Sequence, residues 1–336
     1  MNMQAQARAV LDRLIPDDAE IILLDYPNTT NVGDSLIWLG EMAYLKSRKL
    51  KIVYVCDTRN YDLAKIKALI NRKSMVLMHG GGNFGTVWQE IQTFRLNVLR
   101  DLANTPIIQL PQTIHFDDPV KIEEMNAAIS QHGAYTLLVR SASCEAFALQ
   151  HFGCTTKLCP DMAFFIGAIH SWNRAAVDRL VVARTDHEAS ATLGNGTYCF
   201  ASHLRYRVVD WLDASLLERL LHRVEMHTVW LRAKLDPNNT ALLVLWNMLS
   251  ELRLQRGIQL LTQGKLIITD RLHVHILSIL LGKPHVIVDN NYGKLKHFFA
   301  TWTCNNLFSR HLTNPLQLNQ VSHELAELAY HEQSAN

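Results

Sequence analysis

The sequence predicts an α/β protein with two Rossmann-like domains, whose parallel sheets face a cleft. Short apolar runs alternate along the chain with longer amphipathic segments. This alternation is typical of parallel strands that helices cover on both faces. The pattern occurs as two successive sets, and the 336 residues exceed the roughly 250–300 at which a single core stops growing.

The first half contains runs rich in Ile, Val, Leu and Tyr, which favour strands. Between them, apolar residues recur three or four positions apart, as Leu36, Leu39 and Ala43 do, which favours helices. The predicted strands are Ile21–Tyr26, Lys51–Cys56, Ser74–His79, Pro106–Leu110 and Tyr135–Val139. The predicted helices are the segment around Leu36–Leu45, Tyr61–Ile70, Thr86–Leu102, Val120–Gln131 and Ser141–His151.

The second half repeats the pattern less regularly. The weakly patterned stretch Asp186–Asp210 predicts a loop and an edge strand. The predicted domains are 1–170, 171–312 and a C-terminal helix over 313–336, with the boundary near Gly167–Arg174. The remaining strands are Arg179–Ala183, Lys265–Thr269 and Pro284–Asp289, and the helices are Asn239–Gln263, Arg271–Leu281, Lys294–Thr301 and Pro315–His331.

Composition excludes several classes of protein. Lys and Arg total 33 and Asp and Glu total 31, giving a net charge of +2, which argues against a nucleic-acid partner recruited by overall charge. The start of the chain lacks the apolar core of a secretory signal, and no apolar run reaches the ~18 residues of a spanning helix. We therefore expect a cytoplasmic protein with reduced cysteines. The cysteine spacing completes no zinc site, so no metal is predicted.

Asn31, Asp34 and Ser35 follow the first predicted strand and open a helix. The free N–H groups of a helix N-terminus can bind an anion. The alternative is an ordinary helix cap, in which Asp34 or Ser35 only accepts backbone N–H groups.

Gly80, Gly81, Gly82 and Asn83 follow the third predicted strand. Successive glycines let a ligand approach the main chain, so their amides are candidates for binding an anion. The spacing matches no nucleotide fingerprint. A glycine turn for close helix–strand packing is the alternative.

Asp270, Arg271 and His273 follow the run KLIIT at the start of a predicted helix. Arginine is unfavourable at a helix N-terminus, where the dipole prefers anions, and an anionic ligand would relieve this conflict. Its planar fork suits carboxylate or phosphate, and histidine can transfer a proton near pH 7. The alternative is a salt-bridged arginine and a buried histidine. Two further strand ends carry His115, a candidate acid/base or a loop histidine, and Arg184, a further cation or a surface residue.

Seven segments between Asp25 and Trp302 together resemble the polysaccharide pyruvyl transferase family, particularly the bacterial exopolysaccharide enzymes. They are NVGDSLIWLGE, MHGGGNFGTVW, QLPQTIHF, CPDMAFF, ARTDHE, TDRLHVHILSILLGKPHVIVDNNYGK and FFATW. The resemblance implies a GT-B-like fold. It also implies phosphoenolpyruvate as a co-substrate, without a further cofactor, and a hexose of a lipid-linked oligosaccharide or polysaccharide as acceptor.

The resemblance places Arg271 and His273 near the donor, and it also includes Arg184 of the ARTD segment and His115 of the QTIHF segment. The chemistry then assigns His273, His115 and Asp270 to catalysis. Arg271, Arg184 and the Gly80–Asn83 segment would bind the donor, while Asn31, Asp34 and Ser35 would bind the acceptor. The N-terminal domain would be the acceptor side and the C-terminal domain the donor side.

One position departs from the family pattern. Relatives often have RLHGH where this chain has Val274 in place of the glycine, which puts the acceptor's identity in question. The alternatives to pyruvyl transfer are a nucleotide-sugar glycosyltransferase of the GT-B type and a non-catalytic sugar- or anion-binding module. For Met1–Ile15 the alternatives are a helix packed on the core and a helix in peripheral contact with the inner face of the cell membrane.

Overall fold

The computed structural model describes residues 2–171, 175–185, 193, 200, 203–212, 216–236, 239–289 and 293–335. Their contacts divide the chain into two compact units. The first unit consists of Met1–Thr30, Asp34–Phe165 and Leu216–Glu251. The second consists of Asn31–Gly33, Ile166–Ser215 and Leu252–Asn336.

The first unit is built on a parallel sheet of seven strands. Its strands are β1 (Glu20–Leu24), β2 (Lys51–Val55), β3 (Ser74–Met78), β4 (Gly81–Gly85), β5 (Ile107–His115), β6 (Tyr135–Val139) and β7 (Thr155–Leu158). They lie in the order β2-β1-β3-β5-β6-β7, with β4 paired to β5. The helices are α1 (Met3–Leu14), α2 (Val32–Ser47), α3 (Leu63–Leu69), α4 (Gln89–Asp101), α5 (Pro119–His132), α6 (Ala142–His151) and α7 (Leu216–Leu235), followed by α8 (Thr240–Leu261), which passes into the second unit.

Alternate residues of β1 show how this sheet is covered on both faces. Ile21 and Leu23 belong to one buried cluster, and Ile22 and Leu24 belong to another. The first cluster includes residues of α1, whose Ala7 and Leu11 are buried, so the apolar face of that helix is part of the core. Side chains that alternate between two covered faces make near-continuous apolar runs, which is why these strands were predictable.

The second unit has a smaller parallel sheet in the order β12-β11-β10-β8-β9. The strands are β8 (Val177–Val182), β9 (Tyr206–Val209), β10 (Gly264–Thr269), β11 (His285–Val288) and β12 (Ser309–Leu312). Its other helices are α9 (Leu272–Leu280), α10 (Lys294–Phe298) and α11 (Leu318–Ala335), with a π-helical turn over Phe299–Thr303 and 3-10 turns at Met162–Ile166 and Pro315–Gln317.

The α/β class with parallel sheets is confirmed, and so is the edge strand predicted within Asp186–Asp210, which is β9. Residues 186–192, 194–199 and 201–202 of that stretch lie outside the described residues. The predicted domain limits and the facing of the sheets stay predictions. In the division of the chain by contacts, Phe165 belongs to the first unit and Ile166 to the second. Leu216–Glu251 again belongs to the first unit. In the described part of the chain, no helix combines the length and apolar character needed to span a bilayer.

Two segments predicted as loops are strands. Residues 111–115 continue β5, and Gly81–Gly85 forms β4 beside it. The buried side chain of Gln112 explains the first error, because its amide group donates to the backbone carbonyl of His79 at 3.0 Å, as that of Gln109 in the predicted part of the strand does at 2.7 Å. Polar residues satisfied in this way fit a central strand, although their pattern resembles a loop.

Candidate functional site

Predicted site residues meet at one point of the second sheet. Strands β8 and β10 are neighbours there, and the chain order reverses between them, with β9 on one side and β11 and β12 on the other. We call such a position the switch point of a sheet, and in open α/β sheets ligands bind outside the strand ends at this point. Arg184 follows β8 and Asp270 and Arg271 follow β10.

Hydrogen bonds hold these two strand ends together. The Asp270 carboxylate is buried and accepts the Arg184 N–H at 2.9 Å. The Thr269 hydroxyl donates to the Val182 carbonyl at 2.8 Å and accepts the Arg271 N–H at 3.0 Å. Asp270 therefore fixes the backbone that carries Arg184, and its predicted part in catalysis stays a prediction.

Arg271 occupies the N-cap position of α9 and is 4% exposed. Its Nη2 lies 2.5 Å from Oδ1 of Asp210, which follows β9. This carboxylate supplies the negative charge that the helix dipole favours near its N-terminus. This ion pair is the salt-bridged arginine that the sequence analysis gave as the alternative for Arg271. The role of Arg271 in binding a donor anion stays a prediction.

His273 is the second residue of α9, within its first turn, and is half-buried. The backbone of Gly33 packs on its ring so closely that a Cβ at that position would lie 2.6 Å from His273 Nδ1. Beside it, Asn31 Oδ1 accepts the Gly33 N–H at 3.0 Å and the Trp211 indole N–H at 3.2 Å. The structure thus brings predicted acceptor residue Asn31 into the same unit as Arg271 and His273.

His275 faces the opposite way, into the core beneath α9. Its Nδ1 lies 2.6 Å from His285 Nε2, and its Nε2 lies 2.9 Å from the Thr303 hydroxyl. Burial, together with His285, lowers the pKa of His275, and burial lowers that of His285 to about 4. These two imidazoles are neutral at physiological pH and anchor the helix that carries Arg271 and His273.

The other predicted residues belong to the first unit. Asp34 accepts the Thr29 hydroxyl at 2.9 Å, and Ser35 is buried near the start of α2. His115 ends β5, and its carbonyl accepts the Thr86 N–H at 3.0 Å. Their predicted roles, acceptor binding for Asp34 and Ser35 and acid/base catalysis for His115, stay predictions.

The glycine segment differs from the open anion-binding loop that the sequence predicted. The Gly80 N–H donates to Glu41 at 3.0 Å, and the Asn83 N–H donates to Gln112 at 3.2 Å. The Asn83 side-chain oxygen accepts from Arg95 and from Gln112, each at 2.9 Å. In this structure the Gly80 and Asn83 amides and the Asn83 side chain therefore hold β4 in place, because satisfying buried polar groups is what a packed strand requires. Gly81 and Gly82 also lie within β4.

Asp210 and Trp211 were missed by the sequence analysis. They follow β9, in the stretch whose pattern was weak. The available signal was their position after a predicted strand, the same rule that singled out Arg271. Among the described residues, no group of three or more His, Cys, Asp or Glu side chains is arranged to hold a metal ion.

The description "Polysaccharide pyruvyl transferase" belongs to a family model that matches residues 31–292, a range that contains every predicted site residue. The chain belongs to the polysaccharide pyruvyl transferase family. It is therefore a transferase enzyme, and its Arg271, His273 and Asn31 cluster lies within the part that defines the family.

Individual relatives support this membership. Pyruvyl transferase 1 of Schizosaccharomyces pombe is 29% identical over 300 residues, which cover 84% of this chain and 69% of the relative. EpsO of Bacillus subtilis, named as a pyruvyl transferase, is 28% identical over 305 residues, covering 90% and 91%. An uncharacterized protein from Klebsiella pneumoniae has a solved structure with a TM-score of 0.60 at 17% identity, covering 94% of this chain and 100% of its own, and shows the same fold.

Proposed function

We propose that this pyruvyl transferase family member moves pyruvate from phosphoenolpyruvate to a hexose of an exopolysaccharide repeat unit, forming a cyclic ketal. The observation that carries the proposal is the pairing of a guanidinium and an imidazole, Arg271 and His273, at the start of α9 beside the switch point of the second sheet. Family membership supports pyruvyl transfer rather than nucleotide-sugar glycosyl transfer or sugar binding alone.

The donor's charges suit these residues. Phosphoenolpyruvate carries a carboxylate and a phosphate, and a guanidinium binds either group through a planar pair of N–H donors. Asp210 holds the Arg271 guanidinium in one orientation, and Asp270 holds the backbone of Arg184 nearby. A cation whose position is fixed before binding loses less entropy when it captures the donor.

His273 acts as the proton donor. Its imidazolium gives a proton to the methylene carbon of phosphoenolpyruvate, and the neighbouring carbon becomes an oxocarbenium-like centre. One sugar hydroxyl bonds to that carbon, the bond to the phosphate oxygen breaks, and a second hydroxyl closes the ring. One hydroxyl proton restores the imidazolium and the other leaves with inorganic phosphate. General acid–base catalysis of this kind contributes about 10²–10⁴ in rate.

Purified Arg271→Ala and His273→Ala test the proposal. Each is expected to fold and to lose at least about 100-fold in the rate of phosphate release and ketal formation, because one binds the donor and the other protonates it. Phosphate release and mass spectrometry of a lipid-linked acceptor measure the two products. Arg310→Ala and His323→Ala, which replace exposed residues of the same unit, are the matched controls.

A thermal-shift comparison separates this function from glycosyl transfer. Phosphoenolpyruvate should raise the melting temperature of the wild-type protein, whereas UDP and CMP should not. Ligand at ~100 times its Kd stabilises by about 2.7 kcal/mol. Stabilisation by UDP or CMP alone, or transfer activity that survives in both variants, would overturn the proposal.

A further inference from the structure

The switch point of the first sheet also carries chemistry-bearing residues, which the predicted site does not include. In this sheet the order reverses between β1 and β3. Asp25 follows β1, and His79 follows β3 and precedes the glycine segment. Both sheets therefore place ionisable residues where the strand order reverses, the position at which doubly wound sheets bind ligands.

Glu41 of α2 joins His79 to the glycine segment. Its carboxylate lies 3.0 Å from His79 Nδ1 and accepts the Gly80 N–H at 3.0 Å. Glu41 and His79 are 1% and 2% exposed. An added Cβ at Gly80 would lie 3.0 Å from the Pro111 carbonyl, so the segment has little room to move around this carboxylate. One buried carboxylate thus sets the position at which β4 begins.

Asp25 stands beside this pair in an unusual state. It is 4% exposed, its backbone is left-handed with φ of 70°, and its Oδ2 has no hydrogen-bond partner among the described residues. A buried carboxyl oxygen without a partner is rare in folded proteins, and such sites often have a functional reason. A left-handed backbone in a residue other than glycine is likewise found most often at functional sites.

Charged groups from several elements face Asp25. Burial raises the pKa of Asp25 to about 7, while Arg95 of α4 and His79 lower it and Glu41 and Asp57 raise it. Burial lowers the pKa of His79, but Glu41, Asp25 and Asp34 outweigh burial, so its pKa lies above the ordinary value. Near neutral pH the cluster can therefore hold a protonated Asp25 beside a Glu41–His79 ion pair.

We propose that Asp25, Glu41 and His79 form a positioning site that fixes the glycine segment Gly80–Gly85, and that loss of the Asp25 proton loosens it. An ionised Asp25 attracts the His79 cation and repels the Glu41 carboxylate, so it competes with the bonds that Glu41 makes to His79 and to Gly80. The role in catalysis rests on the proposed pyruvyl transfer, for which the sequence predicts that the Gly80–Asn83 segment binds the donor. None of the three is required to touch substrate.

Asp25→Asn is the central variant, because asparagine also adopts left-handed backbone and keeps the shape of a neutral Asp25. In the wild type, loss of the Asp25 proton, with a pKa near 7, is expected to lower kcat about tenfold between pH 6 and pH 8. Asp25→Asn should therefore match the wild-type kcat at pH 6 and exceed it about tenfold at pH 8, with KM little changed, and this ratio cancels any pH dependence that His273 gives to both enzymes. Asp101→Asn, an acid-to-amide change elsewhere in the same unit, should keep the wild-type profile.

Hydrogen exchange provides a readout that does not need activity. At pH 8 the peptide containing Gly80–Gly85 should exchange more slowly in Asp25→Asn than in the wild type, and at pH 6 the two should agree. Glu41→Gln should accelerate its exchange at both pH values. If the wild-type protein shows no pyruvyl transfer, the proposed function is refuted. The hydrogen-exchange comparison still tests the positioning role, because it does not depend on activity.

Two results would overturn the positioning site. One is exchange of the Gly80–Gly85 peptide that is the same in Asp25→Asn and wild type at pH 8. The other is an active Asp25→Asn enzyme whose kcat equals that of the wild type at both pH 6 and pH 8, which would make Asp25 a structural residue only.

Discussion

Arg271 shows how a single charged residue can be both part of a site and part of the fold. Its ion pair with Asp210 is almost completely buried, at 5% and 8% side-chain exposure. A buried charge left without its partner is costly, because neither water nor a counter-ion replaces the lost contact. The sequence identified Arg271 from its place after β10, but its partner lies 61 positions earlier in a weakly patterned stretch. Only the folded sheet brings β9 close enough to supply Asp210.

Asp210→Ala is therefore expected to lower the free energy of unfolding by about 3–5 kcal/mol, as for other buried pairs that lose one member. Urea denaturation at pH 7 measures it. Glu124→Ala is the control, since the Lys121–Glu124 pair is about half exposed on both sides and such surface pairs contribute about 0–1 kcal/mol. Equal losses in the two variants would contradict a special role for the buried pair.

At the scale of elements, β4 and α7 were the hardest to predict. Strand β4 consists of Gly81–Gly85, whose glycines predict a turn because they lack the side chains that favour strands. Helix α7 exposes Leu216, Leu217 and Leu220, so its apolar residues do not mark one buried face and its period is obscured. The strands β1, β3 and β6 were predictable, because their runs are almost wholly buried.

Gly85 at the end of β4 gives a test of how this strand is held. Its φ of 122° disfavours other residues, and a Cβ there would lie 1.8 Å from the His115 carbonyl oxygen. Gly85→Ala should cost more than about 2 kcal/mol of unfolding free energy, since backbone strain and a steric clash add. Gly282→Ala, at φ of 62° with nothing within 4 Å, should cost only the backbone term of about 1–2 kcal/mol. Chemical denaturation of both variants makes the comparison, and a cost for Gly85→Ala no larger than for Gly282→Ala would show that β4 can shift away from His115.

At the scale of the whole chain, the two sheets arrange their first three strands in the same order. In each unit the second strand along the chain lies at the edge of the sheet, next to the first strand. The third strand lies on the opposite side of the first. The alternation of strands and helices predicted two such sets. It could not give the order of the strands, since apolar runs of similar composition can pair in many ways. The sequence could still locate candidate site residues, because the carboxyl ends of parallel strands lie at the same edge of a sheet whatever order the strands take.

The stability of the chain should depend on pH through its buried imidazoles. The pKa of His275 is lowered by burial and by His285, and burial lowers the pKa of His285 to about 4, against an ordinary value of 6.5. The unfolded chain therefore binds more protons between pH 6.5 and pH 4. By linkage, the stability from this pair is complete above pH 6.5 and is lost as pH falls toward 4.

His285→Leu tests this dependence. At pH 7 the variant should lose about 1–3 kcal/mol of unfolding free energy, because His275 Nδ1 loses its partner. The difference from wild type should shrink as pH falls from 6.5 to 4.5, since the variant has one buried imidazole fewer to protonate on unfolding. Urea denaturation across this range measures the difference, and a constant gap would assign the effect to packing rather than to protonation.

The hydrogen bonds that link His285, His275 and Thr303 beneath α9 also have a fixed donor-to-acceptor direction. The Lys283 carbonyl, 2.8 Å from His285 Nδ1, can only accept, so that nitrogen carries the hydrogen. His285 Nε2 must then accept from His275 Nδ1, and His275 Nε2 must accept from Thr303. Each ring is thereby restricted to a single tautomer, and no hydrogen can reverse its orientation unless all three side chains rearrange together. Besides its buried apolar side chains, the helix carrying Arg271 and His273 is thus held by a row of hydrogen bonds between neutral groups that all point the same way.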